Sequence, residues 1–241
     1  MAVLGRAPSA MPAALWDLDG TLVDSTEYHW RSWVSALRDQ GLTLTREQFT
    51  ATFGQRNDRI LRGWLGPDAA EEQIRRIGDA KEAAYRQLMR DGGLDGLPGA
   101  QDWIDRLAAR GWRQAIASSA PRLNVEAVLD ILGWHSRFAA IVAAEDVRRG
   151  KPDPDVFLAA AERLHMPAGA CVVVEDAAAG VDAARAAMMR VIGVGPSGAG
   201  ADLAVASLSD LRDDAFDRLL GTPVCGNVHG RGSGSDPNFG A

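Results

Sequence analysis

Five short apolar runs separated by helical patterns constrain this chain more than any other feature. They are Ala13 to Leu18, Arg113 to Ala117, Phe138 to Ala143, Cys171 to Val174 and Val191 to Val194. Between them, Gln101 to Arg110 places Trp103, Ile104, Leu107 and Ala108 on one helical face, and Asn124 to Leu132, Asp155 to Leu164 and Ala178 to Met189 behave likewise. Short continuous apolar runs alternating with amphipathic helices read as βαβ units, whose strands are buried on both faces. The expected fold is therefore α/β: a Rossmann-like, doubly wound parallel sheet. Such sheets carry their sites beyond the carboxyl ends of the strands.

One segment breaks the alternation. From Thr26 to about Asp95 the pattern is helical throughout, over Tyr28 to Leu37, Arg46 to Phe53, Asp58 to Leu65 and Glu71 to Met89. It ends in the loop-rich stretch Gly92 to Gly99. An all-helical cap domain over residues 26–95 is expected, inserted after the first strand of a core made of residues 1–25 and 96–222. Insertions at such points commonly form lids over the active edge. The segment before Met11 is expected to be dispensable to the fold. Residues 223–241, rich in Gly, Ser, Asn and Asp, are expected to form a disordered tail.

Composition narrows the classes of partner. The net charge of −6 leaves no electrostatic footprint for nucleic acid, and Arg148-Arg149-Gly150-Lys151 reads as a solvated face. No apolar stretch reaches transmembrane length, and Gly5, Pro8 and Pro12 interrupt any secretory leader, so no membrane partner is expected. The two cysteines, Cys171 and Cys225, form no C-x-x-C pair, which disfavours a thiolate zinc site or a disulfide framework and suits the reducing cytoplasm. The sequence is neutral between monomer and dimer.

Asp17 and Asp19 stand two residues apart where the first apolar run meets Gly20. In an extended strand both side chains point to the same side. Two acids at the end of a buried strand are costly unless a cation or a proton relieves them. The pair suits a carboxylate nucleophile with an acid/base partner, a metal site, or both; a capped Asp-Gly turn is the plainer alternative. Ser118 and Glu175-Asp176 also follow strand runs, and Lys151 lies in a loop after another. Singly, Ser118 and Glu175-Asp176 could be helix caps and Lys151 a solvated lysine. Convergence of four loops on one sheet edge favours a site.

In order, spacing and strand context these residues resemble the four signatures of the haloacid dehalogenase-like hydrolases. Asp17-Leu18-Asp19-Gly20-Thr21-Leu22-Val23-Asp24-Ser25 resembles the first and Ser118 the second. Lys151 in Gly150-Lys151-Pro152-Asp153-Pro154 resembles the third, and Glu175-Asp176 the fourth. The resemblance implies that Asp17 is the nucleophile and Asp19 the acid/base. It implies Mg2+ held by Asp17, the main-chain carbonyl of Asp19 and Asp176, with Glu175 reaching the ion through water. Ser118 and the backbone N–H of Ser119 would bind phosphoryl oxygens, and Lys151 would neutralise nucleophile and phosphate together. These roles meet the needs of phosphoryl transfer: a nucleophile, charge screening and fixed donors for the equatorial oxygens. An oxygen-only ligand set suits Mg2+. The resemblance also implies that true dehalogenases lack the second aspartate, so Asp19 favours phosphate chemistry.

The cap resembles that of the β-phosphoglucomutase-like branch. Thr26-Glu27-Tyr28-His29-Trp30-Arg31-Ser32-Trp33 is similar to its first lid helix, which implies that His29 positions Asp19. Lys81, in Lys81-Glu82-Ala83-Ala84-Tyr85, matches a lid lysine that reaches the substrate, while Trp30, Trp33 and Leu37 are spaced simply as core. Three positions depart from the mutase pattern. Asn57 stands where mutases carry the arginine for the non-transferring phosphate, with Arg56 one place before it; Pro121 replaces a lysine and Ala177 a serine. The expected function is a Mg2+-dependent phosphatase of a small phosphorylated metabolite, a sugar phosphate by preference, acting through an aspartyl-phosphate. His29, Arg56, Asn57 and Lys81 are its expected substrate-side residues. A sugar phosphomutase is the alternative. Gly193-Val194-Gly195-Pro196-Ser197-Gly198 fits a dinucleotide fingerprint but follows the last strand run and contains proline, so it reads as a loop. A non-catalytic binding protein is opposed by retention of all four signatures.

Overall fold

The computed structural model describes residues 11–198 and 200–221; the expectations for the segment before Met11, the tail 223–241 and Cys225 lie outside them. The chain enters through β1 (Ala13–Trp16), whose four residues are fully buried. Four helices follow with no named strand among them: α1 (Thr26–Arg38), α2 (Arg46–Thr52), α3 (Asn57–Leu65) and α4 (Glu71–Gly92). Then come α5 (Ala100–Ala109), β2 (Arg113–Ala117), α6 (Arg122–Leu132), β3 (Ala140–Val142), α7 (Asp155–Arg163), β4 (Cys171–Glu175), α8 (Ala178–Ala186), β5 (Arg190–Val194), β6 (Leu203–Val205) and α9 (Ala215–Leu220).

The six strands form one parallel sheet in the order β3-β2-β1-β4-β5-β6. The chain moves outward from β1 through β2 to β3, then crosses back to lay β4 on the other side of β1. The order reverses at β1, and ligands bind in the crevice beyond such a reversal. Strand alternation divides the core cleanly. Ala14, Trp16, Val172 and Val174 face a cluster with α5, α6 and α9, while Ala13, Leu15, Cys171 and Val173 face α7 and α8. Trp16 Nε1 donates to Gln114 Oε1 at 2.9 Å and Gln114 Nε2 to Ile104 O at 2.9 Å, which satisfies the buried polar groups.

Helices α1 to α4 pack around a cluster of their own that includes Trp33, Leu37, Phe49, Leu61 and Ile77. The chain leaves and re-enters the sheet side by side: Val23 bridges Gly96, and Leu97 N–H donates to Leu22 O at 2.8 Å. Two strands differ from the sequence expectation. The third run contributes only Ala140–Val142 as strand, with Phe138 buried in the core just ahead of it. Strand β6 was not expected; Leu203-Ala204-Val205 is an apolar run of only three residues, half-buried or exposed at the sheet edge. The glycine-rich stretch, expected as a loop, begins inside β5 with Gly193 and Val194 and turns only at Pro196–Gly198, where Gly193 and Gly198 approach so closely that a Cβ on Gly193 would lie 2.2 Å from Gly198 O.

Candidate active site

The strand ends bring the sequence's acids, lysine and serines together. Asp17 follows β1 directly and extends the ladder, donating its N–H to Val174 O at 3.0 Å; Ser118 does the same after β2, to Val142 O at 3.0 Å. Glu175 is the last residue of β4, and Asp176 follows it. Asp17, Glu175 and Asp176 each offer a carboxylate oxygen within 4.8 Å of the others. Buried Lys151 reaches in from the loop after β3, with Nζ 2.5 Å from Asp17 Oδ1 and 2.6 Å from Glu175 Oε2.

Two glycines admit this arrangement. Gly20 has φ +91°, and a Cβ on it would lie 2.3 Å from Asp176 Oδ2, so only glycine allows the turn to pass the carboxylate. From that turn Thr21 Oγ1 donates to Asp176 Oδ1 at 3.1 Å. Gly180 on α8 likewise leaves room for the Glu175 side chain. The electrostatics are those of an acid cluster with too little compensation. Burial, then Glu175, raises the Asp17 carboxyl well above the usual range against the pull of Lys151. Burial and Glu175 push Asp176 up to about 7. Burial works against the charge on Lys151, but Asp17 and Glu175 outweigh it and hold the ammonium. Three acids facing one lysine leave two negative charges, which one divalent cation held through oxygen would balance. Asp17, Asp176 and Glu175 are the side chains that could hold it.

Asp19 turns toward the cap. Its Oδ1 accepts from Ser25 Oγ at 2.5 Å, Tyr85 Oη at 3.0 Å and His29 Nε2 at 3.2 Å. Burial opposes the charge on Asp19, yet His29, Ser25 and Tyr85 more than offset it and hold the carboxyl below the ordinary range. His29 stacks on Tyr85 with centroids 4.1 Å apart, and its Nδ1 lies 2.8 Å from Lys81 Nζ. Burial and Lys81 lower the His29 pKa; with Lys81 Nζ donating to Nδ1, it is Nε2 that carries the proton Asp19 accepts. Lys81 in turn pairs with Glu82 Oε1 at 2.8 Å.

The remaining sequence-derived residues fall in two groups. Ser119 and Asn57 line the same cavity as Asp17, Asp19 and Lys81, and the Ser119 Oγ is buried with no partner. Arg56 does not line it. Its Nη1 donates to Ala144 O and Val147 O at 3.0 Å each, and its side chain lies across Gly150, fastening the cap loop to the core. Sequence reasoning missed Glu82 and Asn124. Glu82 accepts from Asn57 Nδ2 at 2.5 Å and also from Asn124 Nδ2. The signal for it was present: Glu82 falls on the buried stripe of α4 with Ile74, Gly78, Tyr85 and Met89, where an acid is out of place.

A family model described as haloacid dehalogenase-like hydrolase matches residues 11–187. The chain is 37% identical over 211 residues to Protein SUPPRESSOR OF QUENCHING 1, chloroplastic, of Arabidopsis thaliana, covering 84% of this chain but only 19% of that much longer protein. It is 31% identical over 184 residues to Fructose-1-phosphate phosphatase YqaB of Escherichia coli, covering 75% of this chain and 94% of the relative. The crystal structure of β-phosphoglucomutase from Clostridium difficile superposes with TM-score 0.80 at 27% identity, covering 88% of this chain and 98% of the other.

Proposed function

Because the chain belongs to the haloacid dehalogenase-like hydrolases, we propose that it is a phosphatase of a small phosphorylated metabolite, a sugar phosphate by preference, working through an aspartyl-phosphate on Asp17. The observation that carries this reading is the pair of carboxylates at the end of β1 with divided surroundings. Asp17 faces Lys151 and two further acids, while Asp19 faces donors from the cap.

Asp17 attacks phosphorus through one carboxylate oxygen as the bond to the leaving oxygen breaks. Lys151 holds the nucleophile in place and offsets the charge that accumulates. Ser118 and the Ser119 N–H bind the non-bridging oxygens. Asp19 gives its proton to the leaving oxygen, then takes one from the water that attacks the aspartyl-phosphate. Its donors favour the ionised form, suited to the second step; the entering phosphate dianion raises its proton affinity for the first. Mg2+ held by Asp17 and Asp176 would screen the repulsion between carboxylate and phosphate. Helices α1 to α4, as part of a lid over residues 26–95, exclude water and present His29 to Asp19.

Phosphate release from p-nitrophenyl phosphate, acetyl phosphate and a panel of phosphorylated sugars, nucleotides and glycolytic acids with Mg2+ tests the proposal. The expected result is turnover on at least one ester, abolished by Asp17→Asn in a folded protein. A variant that retains wild-type activity removes Asp17 from the role. A sugar phosphomutase is the second reading, favoured by the placement of His29 beside Asp19 with Lys81 behind it, and by the likeness to β-phosphoglucomutase. A hexose phosphate incubated with catalytic bisphosphate would then give isomer, whereas free phosphate alone supports the phosphatase.

A further inference from the structure

We propose that Glu82 is a charge filter: it leaves the leaving-group side of the cavity without a free cation, so the site takes phosphomonoesters whose remaining part is uncharged and rejects those bearing a second anion. This rests on the phosphatase reading of the same site and specifies its substrate class.

The charges can be followed residue by residue. The cavity beside Asp17 and Asp19 has a volume of ≈ 50 Å³, and Lys81 is the one cationic side chain among the described residues that line it. That lysine is committed. Its Nζ lies 2.8 Å from Glu82 Oε1 and 2.8 Å from His29 Nδ1, and it sits over the rings of Tyr85 and Trp33 at 5.1 and 5.4 Å. Glu82 is itself pinned by the amides of Asn57 and Asn124, which favour its ionised form. Lys151 is spent on Asp17 and Glu175, and Arg56 on Asp58 and core carbonyls. An adjoining cleft of ≈ 420 Å³ shares Asn57, Glu82, Ser119 and Pro121 with the cavity; of its arginines, Arg75 is paired with Glu72 and Asp79, and Arg86 donates to Asn124 Oδ1 at 2.8 Å.

The remaining cap-side lining is neutral: Thr52, Gln55 and Asn57 beside Phe49 and Phe53. Ser119 Oγ, buried and without a partner, supplies a free donor and acceptor for a hydroxyl. A carboxylate or second phosphate brought here would meet Glu82 and Asp19 while the one lining cation, Lys81, is already paired, and like charges among buried groups repel strongly. A hydroxylated, uncharged group meets no such cost.

The test is a binding comparison in the Asp17→Asn background with Mg2+, using glycerol monophosphate and phosphoglycerate, which differ chiefly by a carboxylate. Calorimetry is expected to give glycerol monophosphate a preference of about tenfold or more, the size of one unfavourable charge contact. Adding Glu82→Gln, which frees Lys81, should shrink that ratio by about tenfold or reverse it. Adding Lys81→Met, which leaves Glu82 alone, should widen it. Equal affinities in the Asp17→Asn protein, or a ratio unmoved by Glu82→Gln, overturn the filter. Should either added variant fail to fold, the ratio in the Asp17→Asn protein alone decides. Wild-type inactivity on p-nitrophenyl phosphate and every other ester would instead count against the phosphatase reading, and the binding ratio still judges the filter.

Discussion

Lys151 Nζ lies 2.5 Å from Asp17 Oδ1, closing an ion pair between residues 134 apart in the chain at the end of the central strand. Both side chains are buried, and Glu175 shares the lysine. The pair ties the loop after β3 to the point where the strand order reverses.

Lys151→Met is therefore expected to damage stability as well as activity. Removing the cation leaves Asp17 and Glu175 buried without compensation, a cost of about 3–5 kcal/mol. Urea unfolding should show the loss, and Mg2+ should restore part of it. A variant as stable as wild type would mean that the acids are relieved by other means.

Mg2+ is expected to stabilise the wild-type protein. A ligand that binds only the folded state adds about 2.7 kcal/mol at a hundredfold excess over Kd. Thermal melts should rise saturably with Mg2+, and Asp176→Asn should remove most of the shift. An undiminished shift in that variant would place the ion elsewhere.

Gly180→Ala tests the fit of Glu175 through the sign of its effect. In an exposed helix interior this change gains about 1 kcal/mol. Here the added Cβ would lie 2.0 Å from Glu175 Cδ, so overpacking at a cost of about 1–3 kcal/mol should win. Lower stability and reduced activity are expected; a more stable, fully active variant would show that Glu175 has room to move.

Much of this architecture was legible in the sequence. β1, β2, β4 and β5 coincide with apolar runs because buried parallel strands need both faces apolar. The ends of the α helices shifted by a few residues, as for α8, which stops at Ala186 before Met188 takes φ 58°. β6 could not be foreseen from three residues at an edge. At the site, Asp17, Lys151 and Glu175 were found because motif residues follow strand ends. Glu82 and Asn124 were not, because their partners lie on other elements and no local spacing announces them. Arg56 shows the converse: an arginine near a site is equally able to serve as a clip between cap and core.

Asp146 supplies a pH prediction outside the site. Burial opposes its charge, but Arg163, the Ala143 N–H and Arg122 outweigh it, so its folded pKa is depressed. A depressed carboxylate adds stability above its unfolded pKa and loses it as pH falls through the folded value. Asp146→Asn should cost about 1 kcal/mol at neutral pH, discounted for its partly exposed arginines, and the gap should close below about pH 4. A gap independent of pH would mean that packing, not charge, is at stake.

The account turns on a covalent bond between Asp17 and phosphorus. The direct measurement is to quench the enzyme during turnover with Mg2+, reduce it with borohydride and locate the product by mass spectrometry, since an aspartyl-phosphate is reduced to homoserine. Homoserine is expected at position 17, and nowhere in the Asp17→Asn protein. Sustained turnover with Asp17 unmodified, or a reduced acid at another position, would contradict the account.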